Sequence, residues 1–213
     1  MKKVVRFFAI AALAFGMTNL VACGGDEEEG DGNGNNTQQE EQGEPILLEE
    51  GFENGIPSTW SNFDADGDGL AWIADEGQIG GHNGGSMVFS QSYDNSFGAL
   101  TPDNYLVTPS IHIPNASGYN LTYWVCGQDA GYAAEHYAVY VGKVENGTFV
   151  ANGNALLEET ITAKSGAKVQ GTWYQKTINL DAYKGQDVQI AFRHFDVTDQ
   201  YFLNLDDVKV SNE

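Results

Sequence analysis

From residue 45 to the carboxy terminus, short runs of apolar, aromatic and β-branched residues are separated by glycine, asparagine and aspartate. Between residues 188 and 193, Val188, Ile190 and Phe192 alternate with more polar or smaller side chains. This two-residue period is typical of a strand with one buried face. Strands are predicted over residues 121–126, 136–141, 173–180, 188–195 and 202–210.

No stretch after residue 45 combines a sustained helical period with helix caps. Residues 155–164 come nearest, but Thr160, Ile161 and Thr162 are β-branched and favour a strand. Many short strands without alternating helices predict an all-β fold, and we expect a jelly-roll β-sandwich of two antiparallel sheets. We assign this single domain to residues 45–213.

The amino-terminal pattern is different and is typical of a secretion signal. Three basic residues stand among the first six, and an apolar run follows over residues 7–17, which is too short to span a membrane. Leu-Val-Ala-Cys at residues 20–23 resembles a bacterial lipobox. We therefore predict a lipoprotein signal peptide over residues 1–22 and a lipid anchor on Cys23. The alternative is an ordinary cleaved signal followed by an incidental cysteine.

Residues 23–44 form the predicted lipidated cysteine and an acidic, disordered tether. Five acidic residues lie between residues 26 and 31, and no large apolar residue follows before residue 45. Such a segment cannot bury enough surface to offset chain entropy. An acidic run after a lipid-bearing cysteine resembles the surface-export signal of some Gram-negative lipoproteins. We expect an outer membrane lipoprotein exposed on the cell surface, the alternative being a spacer facing the periplasm.

Charge narrows the choice of partners. The 213 residues include 10 lysine and arginine residues against 30 acidic ones, a formal net charge of -20. Nucleic acid is excluded as a partner, because its phosphates require a basic face. We expect membrane contact only through the lipid on Cys23. Two cysteines cannot build a disulfide framework.

Residues 64–69 place three carboxylates at alternate positions. Asp64, Asp66 and Asp68 are separated by small residues that allow a tight backbone turn. Carboxylate and carbonyl oxygens are the ligands that calcium prefers, and neither flank of this loop predicts the helix of an EF-hand. We predict a calcium loop here. The alternative is an acidic turn without a bound ion.

Two further acidic features stand far from this loop in the sequence. Glu53 lies near the start of the domain, and Asp206 and Asp207 interrupt the apolar last strand. On a regular strand, adjacent carboxylates point to opposite faces, so the pair could serve two different ions. The alternative is two exposed acids on a strand.

The domain resembles the cleaved adhesin domain, which is found as repeats in the haemagglutinin regions of gingipain-type surface proteases. The stretches that carry the resemblance are GFENGIP at 51–57, DADGDG at 64–69, PDNYLVTP at 102–109, WVCGQD at 124–129, EHYAVY at 135–140, ALLEET at 155–160, GTWYQK at 171–176, AFRHF at 191–195 and NLDD at 204–207.

The resemblance implies a jelly roll that binds two calcium ions. The first ion would take Asp64, Asp66, Asp68, the carbonyl of Leu70 and one carboxylate of the terminal pair. The remaining implied ligands belong to the second ion: Glu53, Asn104, the other carboxylate of Asp206 and Asp207, and backbone oxygens near Gly51, Gly84 and Ser86.

The resemblance also implies a non-catalytic adhesin that binds host or neighbouring-cell surface proteins. No cysteine–histidine pair is placed for catalysis, and neither Glu135–His136 nor Arg193–His194 forms a unit, because adjacent strand residues face opposite ways. The alternative function is a carbohydrate-binding lipoprotein that aids glycan capture. Three tyrosines near turn signals are the best candidates for exposed aromatic rings: Tyr93, Tyr132 and Tyr201.

Overall fold

The computed structural model describes residues 46–167 and 170–213. The predicted signal peptide, the lipobox cysteine Cys23 and the acidic tether lie outside these residues. Within the described part of the chain, the structure is built from strands and one short 3-10 turn at Asp181–Tyr183. No described helix is long and apolar enough to cross a membrane.

Fifteen strands are assigned in the described residues, and every strand pair is antiparallel. Their bounds are β1 Ile46–Glu50, β2 Ser61–Asp64, β3 Ile73–Ala74, β4 Val88–Gln91, β5 Tyr93–Asp94, β6 Gly98–Ala99, β7 Asn104–Val107, β8 Ile111–His112, β9 Asn120–Gly127, β10 His136–Glu145, β11 Thr148–Ala151, β12 Leu157–Thr160, β13 Tyr174–Asn179, β14 Asp187–His194 and β15 Phe202–Ser211.

Two sheets form the sandwich. The first has the order β13-β9-β15-β4-β3, and β1 pairs with the second half of β15. The second has the order β11-β10-β14-β7-β2, with β12 beside β10 and β8 beside β14. The hairpin of β5 and β6 stands apart from both sheets. This arrangement confirms the predicted jelly roll and each of the five predicted strands.

Tyrosine and phenylalanine side chains join the two sheets across the core. Tyr123 from the first sheet and Tyr137 from the second bring their hydroxyl oxygens to 2.9 Å, and Tyr137 donates to Glu159 at 2.8 Å. The Tyr123 ring also packs edge-on against Phe192 of the second sheet. Buried aliphatic residues fill the space around them, among them Val88, Leu106, Leu121, Val139, Ile190, Leu205 and Val210. Burial of this apolar surface drives the two faces together.

Candidate functional site

The acidic loop at residues 64–69 follows β2 directly and holds its three carboxylates together. Ligand oxygens of Asp64, Asp66 and Asp68 all lie within 4.8 Å of one another. The amides of Gly67 and Gly69 donate to Asp64 Oδ1 and Oδ2 at 2.6 and 2.8 Å. Both glycines have positive φ, 79° and 89°, a conformation that costs glycine little. The loop therefore curls as the sequence predicts.

This acidic loop is fastened to the start of β7. The Ala65 amide donates to the Asp103 carbonyl at 2.9 Å, and the Asp103 amide donates to Asp66 Oδ1 at 3.0 Å. The Asp103 carboxylate in turn accepts two hydrogen bonds from Arg193, at 2.7 and 2.9 Å. The arginine therefore neutralises Asp103, while the three loop carboxylates have no ion pair with a basic residue in the described chain.

Two carboxylates of the acidic loop are perturbed in opposite directions. Burial raises the pKa of Asp66, and repulsion from Asp68 and Asp64 adds to the rise. For Asp64, partial burial also acts to raise the pKa, but amide hydrogen bonds led by that of Gly69 outweigh it and hold the pKa below its ordinary value. A cation placed among the three groups would relieve the repulsion on Asp66.

A second acidic group surrounds the glycine-rich loop, residues 77–86. The Ser86 amide donates to Glu53 Oε2 at 3.1 Å. A Cβ placed on Gly85 would collide with the Glu53 carboxylate, and one placed on Gly81 would collide with Asp206. The loop backbone therefore approaches both carboxylates as closely as only glycine permits.

Asp206 and Asp207 both contact this glycine-rich loop through His82. The His82 amide donates to Asp206 Oδ2 at 2.8 Å, and His82 Nδ1 lies 3.0 Å from Asp207 Oδ2. The expectation that the two carboxylates point to opposite faces of a regular strand is wrong. Asp207 has a φ of 48°, and the register with β9 shifts between Asp206 and Lys209, so the strand bulges here.

Burial and like charge also perturb the pKa of Asp206. Burial raises the pKa of Asp206 to about 6, even though the amides of His82 and Asp207 donate to it. Repulsion from the carboxylates of Asp207 and Glu53 adds to the rise. The three acids therefore gather at a place where negative charge is costly without a cation.

His82 fixes the glycine-rich loop to the first sheet, a role that no residue pattern indicates. Its imidazole stacks on Trp124 with ring centroids 3.6 Å apart and planes at 17°. The ring of Trp173 also contacts it, with centroids 5.8 Å apart and planes at 67°. Because these partners are distant in sequence and follow no spacing rule, residue pattern alone could not find the contact.

The remaining predicted ligands fall into two places. Gly51 lies beside Asp207, and the Gly84 amide donates to the Gly81 carbonyl, so both belong with the glycine-rich loop. The Leu70 amide donates to Asp68 Oδ1 at 2.7 Å, which places Leu70 at the acidic loop.

Asn104 was predicted beside Glu53, but its contacts lie elsewhere. It pairs with Asp64 across β2 and β7, and its Nδ2 donates to Ser90 Oγ at 3.0 Å. Its Oδ1 is buried and has no hydrogen-bond partner among the described residues. Asn104 therefore adjoins the strand that leads into the acidic loop.

A buried polar chain passes between the sheets near Asn104. His194 Nδ1 lies 2.8 Å from Ser90 Oγ, and His194 Nε2 lies 3.0 Å from Glu135 Oε2. Glu135 Oε1 accepts from Ser92 Oγ at 3.0 Å and from the Tyr201 amide at 2.8 Å. The order serine–histidine–glutamate matches that of a hydrolase triad, but all three residues are fully buried, so no substrate reaches the serine.

The two-sheet sandwich defines a jelly-roll domain. It carries the acidic loop, the acidic group around the glycine-rich loop and a buried polar chain. Residues 45–210 match the family model of the Cleaved Adhesin Domain. The chain belongs to this family.

Relatives from Porphyromonas gingivalis share the domain. Haemagglutinin A is 50% identical over 177 residues, which is 76% of this chain and 8% of the relative. Gingipain R1 is 48% identical over 172 residues, 76% of this chain and 10% of the relative. The chain therefore spans about a tenth of the length of these relatives and shares only their adhesin domain.

Solved structures agree with the fold. The K1 cleaved adhesin domain of Lys-gingipain from Porphyromonas gingivalis W83 has a TM-score of 0.69 and 47% identity, covering 78% of this chain and 98% of that domain. The K3 domain of the same protein has a TM-score of 0.66 over 78% of this chain and 96% of that domain. A galactotriose complex of TmCBM61, 17% identical with a TM-score of 0.50 over 79% and 99%, shares the fold alone.

Proposed function

We propose that the chain is a non-catalytic, calcium-stabilised adhesion module that a lipid anchor displays on the cell surface, where it binds host or neighbouring-cell proteins. The observation that carries this proposal is the match of residues 45–210 to the cleaved adhesin domain. The full burial of Ser90, His194 and Glu135 supports the non-catalytic part, because the one triad-like arrangement in the described chain is closed to substrate.

The donor sets fit calcium. The acidic loop offers the carboxylates of Asp64, Asp66 and Asp68 and the carbonyl of Leu70, and all of these are oxygen ligands. Amides already orient the Asp64 and Asp68 side chains, so little side-chain freedom is left to lose on binding. A first ion is therefore proposed here.

A second ion is proposed at the glycine-rich loop. Its ligands would be Glu53, the carboxylates of Asp206 and Asp207 and backbone oxygens near Gly51, Gly84 and Ser86. The close approach at Gly81 and Gly85 supports this, since carbonyls of a glycine backbone can reach an ion that bulkier residues would block. Asn104 Oδ1 is buried and has no hydrogen-bond partner among residues 46–167 and 170–213, so it is free to add a ligand. If it does, Asn104→Ala should weaken calcium binding in isothermal titration.

Calcium would act on adhesion by fixing loop geometry. Glu53, the glycine-rich loop and the bulge in the middle of β15 come together only in the folded chain, so an ion that binds all three stabilises the folded state alone. Fixed loops lose less conformational entropy when a partner docks. The proposed role of the ions is therefore structural.

The proposal is tested on whole cells that express the full chain. Cells with the unaltered chain should adhere to surfaces coated with serum and matrix proteins, and a chelator should reduce this adhesion. Cys23→Ala should release the protein from the outer membrane and abolish adhesion of the cells. Replacement of residues 26–29 by alanine should keep the protein lipidated but inaccessible to added protease.

Three outcomes would contradict parts of the proposal. A Cys23→Ala protein that still carries lipid excludes the anchor. If protease accessibility is unchanged after replacement of residues 26–29, the acidic run is a spacer and not an export signal. Adhesion that is equal with and without the chain at the surface excludes the adhesive function itself.

A further inference from the structure

Three tyrosines from separate parts of the sequence meet at one cleft of about 670 Å³. Tyr93 comes from β5, Tyr132 from the loop after β9, and Tyr201 from the segment that leads into β15. We name it the tyrosine cleft, and its lining includes Tyr93, Tyr132, Tyr201, Gln128, Asp129 and Asp199. The volume lies within the range of about 300–1,000 Å³ that is usual for small-molecule sites.

The aromatic rings of the cleft are held in place. Tyr201 stacks on Phe202 with ring centroids 3.9 Å apart and planes at 13°, and Phe202 stacks on Phe89 at 4.8 Å. This stack fixes the plane of the Tyr201 ring at the cleft. Tyr132 is 58% exposed although it is a large aromatic residue, so it offers ring surface that no other part of the described chain covers.

The backbone under the cleft is also fixed, by the buried carboxylate of Glu135. Its Oε1 binds the Ser92 hydroxyl and the Tyr201 amide, which joins the segment before β5 to the segment before β15. The Ser92 carbonyl accepts from the Asp199 amide at 3.1 Å, and the Tyr201 carbonyl accepts from the Ser92 amide at 3.0 Å. A cleft assembled in this way is preorganised, so binding costs little further ordering.

The polar groups of the cleft suit hydroxyl groups. Asn95, Gln128 and Gln200 carry amides, and Asp129 and Asp199 carry carboxylates, which accept. Gln128 Oε1 already accepts from Asn204, and the Gln200 amide accepts from Ala134 and donates to the Asp199 carbonyl, so the Asn95 amide and Gln128 Nε2 are the amide groups left for a ligand in the described chain. Asp199 makes no side-chain hydrogen bond in the described chain, and Asp129 uses one oxygen, for the Gly131 amide at 2.7 Å. Planar amide and carboxylate groups beside open aromatic rings match a sugar, which has hydroxyls at its edge and C–H groups on its faces.

Charge limits the kind of sugar. The residues that line the cleft include no lysine, arginine or histidine. Two carboxylates without a basic partner repel sialylated or sulfated glycans. A cationic peptide would use the two carboxylates, and its backbone would pair with the amides, so lysine- and arginine-rich peptides are the competing ligand class in the test. A neutral glycan uses the same polar groups and also lays its C–H faces on the exposed ring of Tyr132.

We propose that the tyrosine cleft binds a neutral glycan, stacking sugar rings on Tyr201 and Tyr132 while the amides and carboxylates bind its hydroxyls. The inference rests on the adhesive function proposed above and names a ligand class for it. It adds a binding site that is distinct from the acidic loop and from the glycine-rich loop, because none of the proposed calcium ligands lines the cleft.

The test uses residues 24–213 in calcium buffer. The K1 domain of Lys-gingipain was crystallised as a single domain, and this chain covers 98% of it, so we expect this segment to fold without the signal peptide and lipid. The protein is applied to an array of neutral, sialylated and sulfated glycans and of lysine- and arginine-rich peptides, and the neutral glycans that bind are then measured by isothermal titration.

We expect neutral glycans to bind, and Tyr132→Ala or Tyr201→Ala to weaken binding about tenfold through loss of a stacking face. Tyr201→Phe keeps the ring and should retain most of the affinity. Phe97→Ala is the matched control, because Phe97 is 73% exposed but does not line the cleft. The melting temperature of each variant is measured first, to confirm that it is folded.

Several results would overturn the proposal. One is neutral-glycan binding that Tyr132→Ala and Tyr201→Ala leave unchanged in folded protein. Another is binding of cationic peptides or charged glycans in place of neutral ones. If no glycan binds while cells displaying the chain still adhere to coated proteins, the glycan proposal is excluded and the adhesive function stands.

Discussion

Glu135 and His194 form a buried pair, with Glu135 Oε2 at 3.0 Å from His194 Nε2 and neither side chain exposed to solvent. His194 belongs to the second sheet, and its other ring nitrogen contacts Ser90 of the first sheet. Glu135 also binds the Tyr201 amide. The pair therefore links the two sheets and supports the segment that carries the tyrosine cleft.

Removal of the Glu135 carboxylate should destabilise the fold strongly. Glu135→Ala leaves His194, Ser92 and the Tyr201 amide without their acceptor in a buried site, and loss of one member of such a pair costs about 3–5 kcal/mol. The free energy of unfolding, measured by urea denaturation, should fall by this amount.

The control for this variant is His112→Ala. His112 contacts Asp187 at 2.8 Å on the surface, where both side chains are mostly exposed. Such a pair contributes about 0–1 kcal/mol, so the free energy of unfolding should hardly change. Equal effects of the two variants would show that the Glu135–His194 pair contributes no more to the free energy of unfolding than the exposed His112–Asp187 pair.

The sequence predicted the sandwich because its strands carry their own signals. Val188, Ile190 and Phe192 are buried in β14, as their alternation requires. The β-branched residues near Thr160 likewise lie in or beside β12. These signals are local, since a strand with one buried face needs the same alternation whichever strand lies beside it.

Contacts between residues distant in the sequence, and the bulge in β15, could not be predicted in the same way. Glu135 and its sequence neighbour His136 form no unit, whereas its hydrogen-bond partner His194 is 59 residues away. The bulge at Asp207 breaks the two-residue period without a glycine to mark it. Both features depend on which strands become neighbours, and residue spacing along the chain does not encode this.

The three tyrosines show an intermediate case. Nearby turn signals predicted that Tyr93, Tyr132 and Tyr201 would be more exposed than other aromatic residues. Tyr132 is exposed, and the other two are half-buried. Their meeting at one cleft follows from the contacts of Ser92, Glu135 and Tyr201, which no local pattern encodes.

The thiol of Cys126 should be unreactive in the folded protein. Burial raises its pKa to about 12, so almost no thiolate is present at neutral pH, and the thiolate is the reactive form. In residues 24–213, which lack Cys23, iodoacetamide should label nothing in native buffer at pH 8 and one thiol in denaturant. Rapid labelling of the native protein would show that the core opens at β9.

Calcium should raise the melting temperature of residues 24–213. An ion that binds only the folded state stabilises it by about 2.7 kcal/mol at a hundredfold excess over Kd. For a domain of this size, this corresponds to about 5–10 °C. Magnesium should have a smaller effect, because it prefers a smaller octahedral shell and retains its waters. Scanning calorimetry with chelator, calcium or magnesium measures the difference.

Variants separate the two proposed ions. Asp66→Ala should remove one binding event in isothermal titration with calcium and leave the other. Asp206→Ala combined with Asp207→Ala should remove the other binding event and leave the first, since both terminal carboxylates are proposed as ligands of the ion at the glycine-rich loop. Asp94→Ala is the control, because Asp94 belongs to neither ligand set and its carboxylate accepts from the Ser96 and Phe97 amides of its own hairpin turn. Equal melting with chelator, calcium and magnesium would exclude both sites.

The calcium effect should also depend on pH through Asp206. Its pKa rises from an ordinary 3.8 to about 6 in the calcium-free fold, chiefly through burial. Between these values the folded chain holds a proton that the unfolded chain has released, so stability from this group is lost as pH rises from about 4 to 6. A bound cation compensates the negative charge of the buried Asp206 carboxylate, so the calcium-induced rise in melting temperature should grow over the same interval.

Asp206→Asn isolates this contribution from the other carboxylates. The amide mimics the protonated acid, so without calcium the variant should melt higher than the unaltered chain above pH 6 and nearly equal to it at pH 4. In calcium the order at pH 7 should reverse, because the variant has lost a charged ligand. Melting curves between pH 4 and 7.5, with chelator and with calcium, test both statements. A difference between the two proteins that does not vary with pH would show that Asp206 is ionised throughout, and that burial does not control its charge.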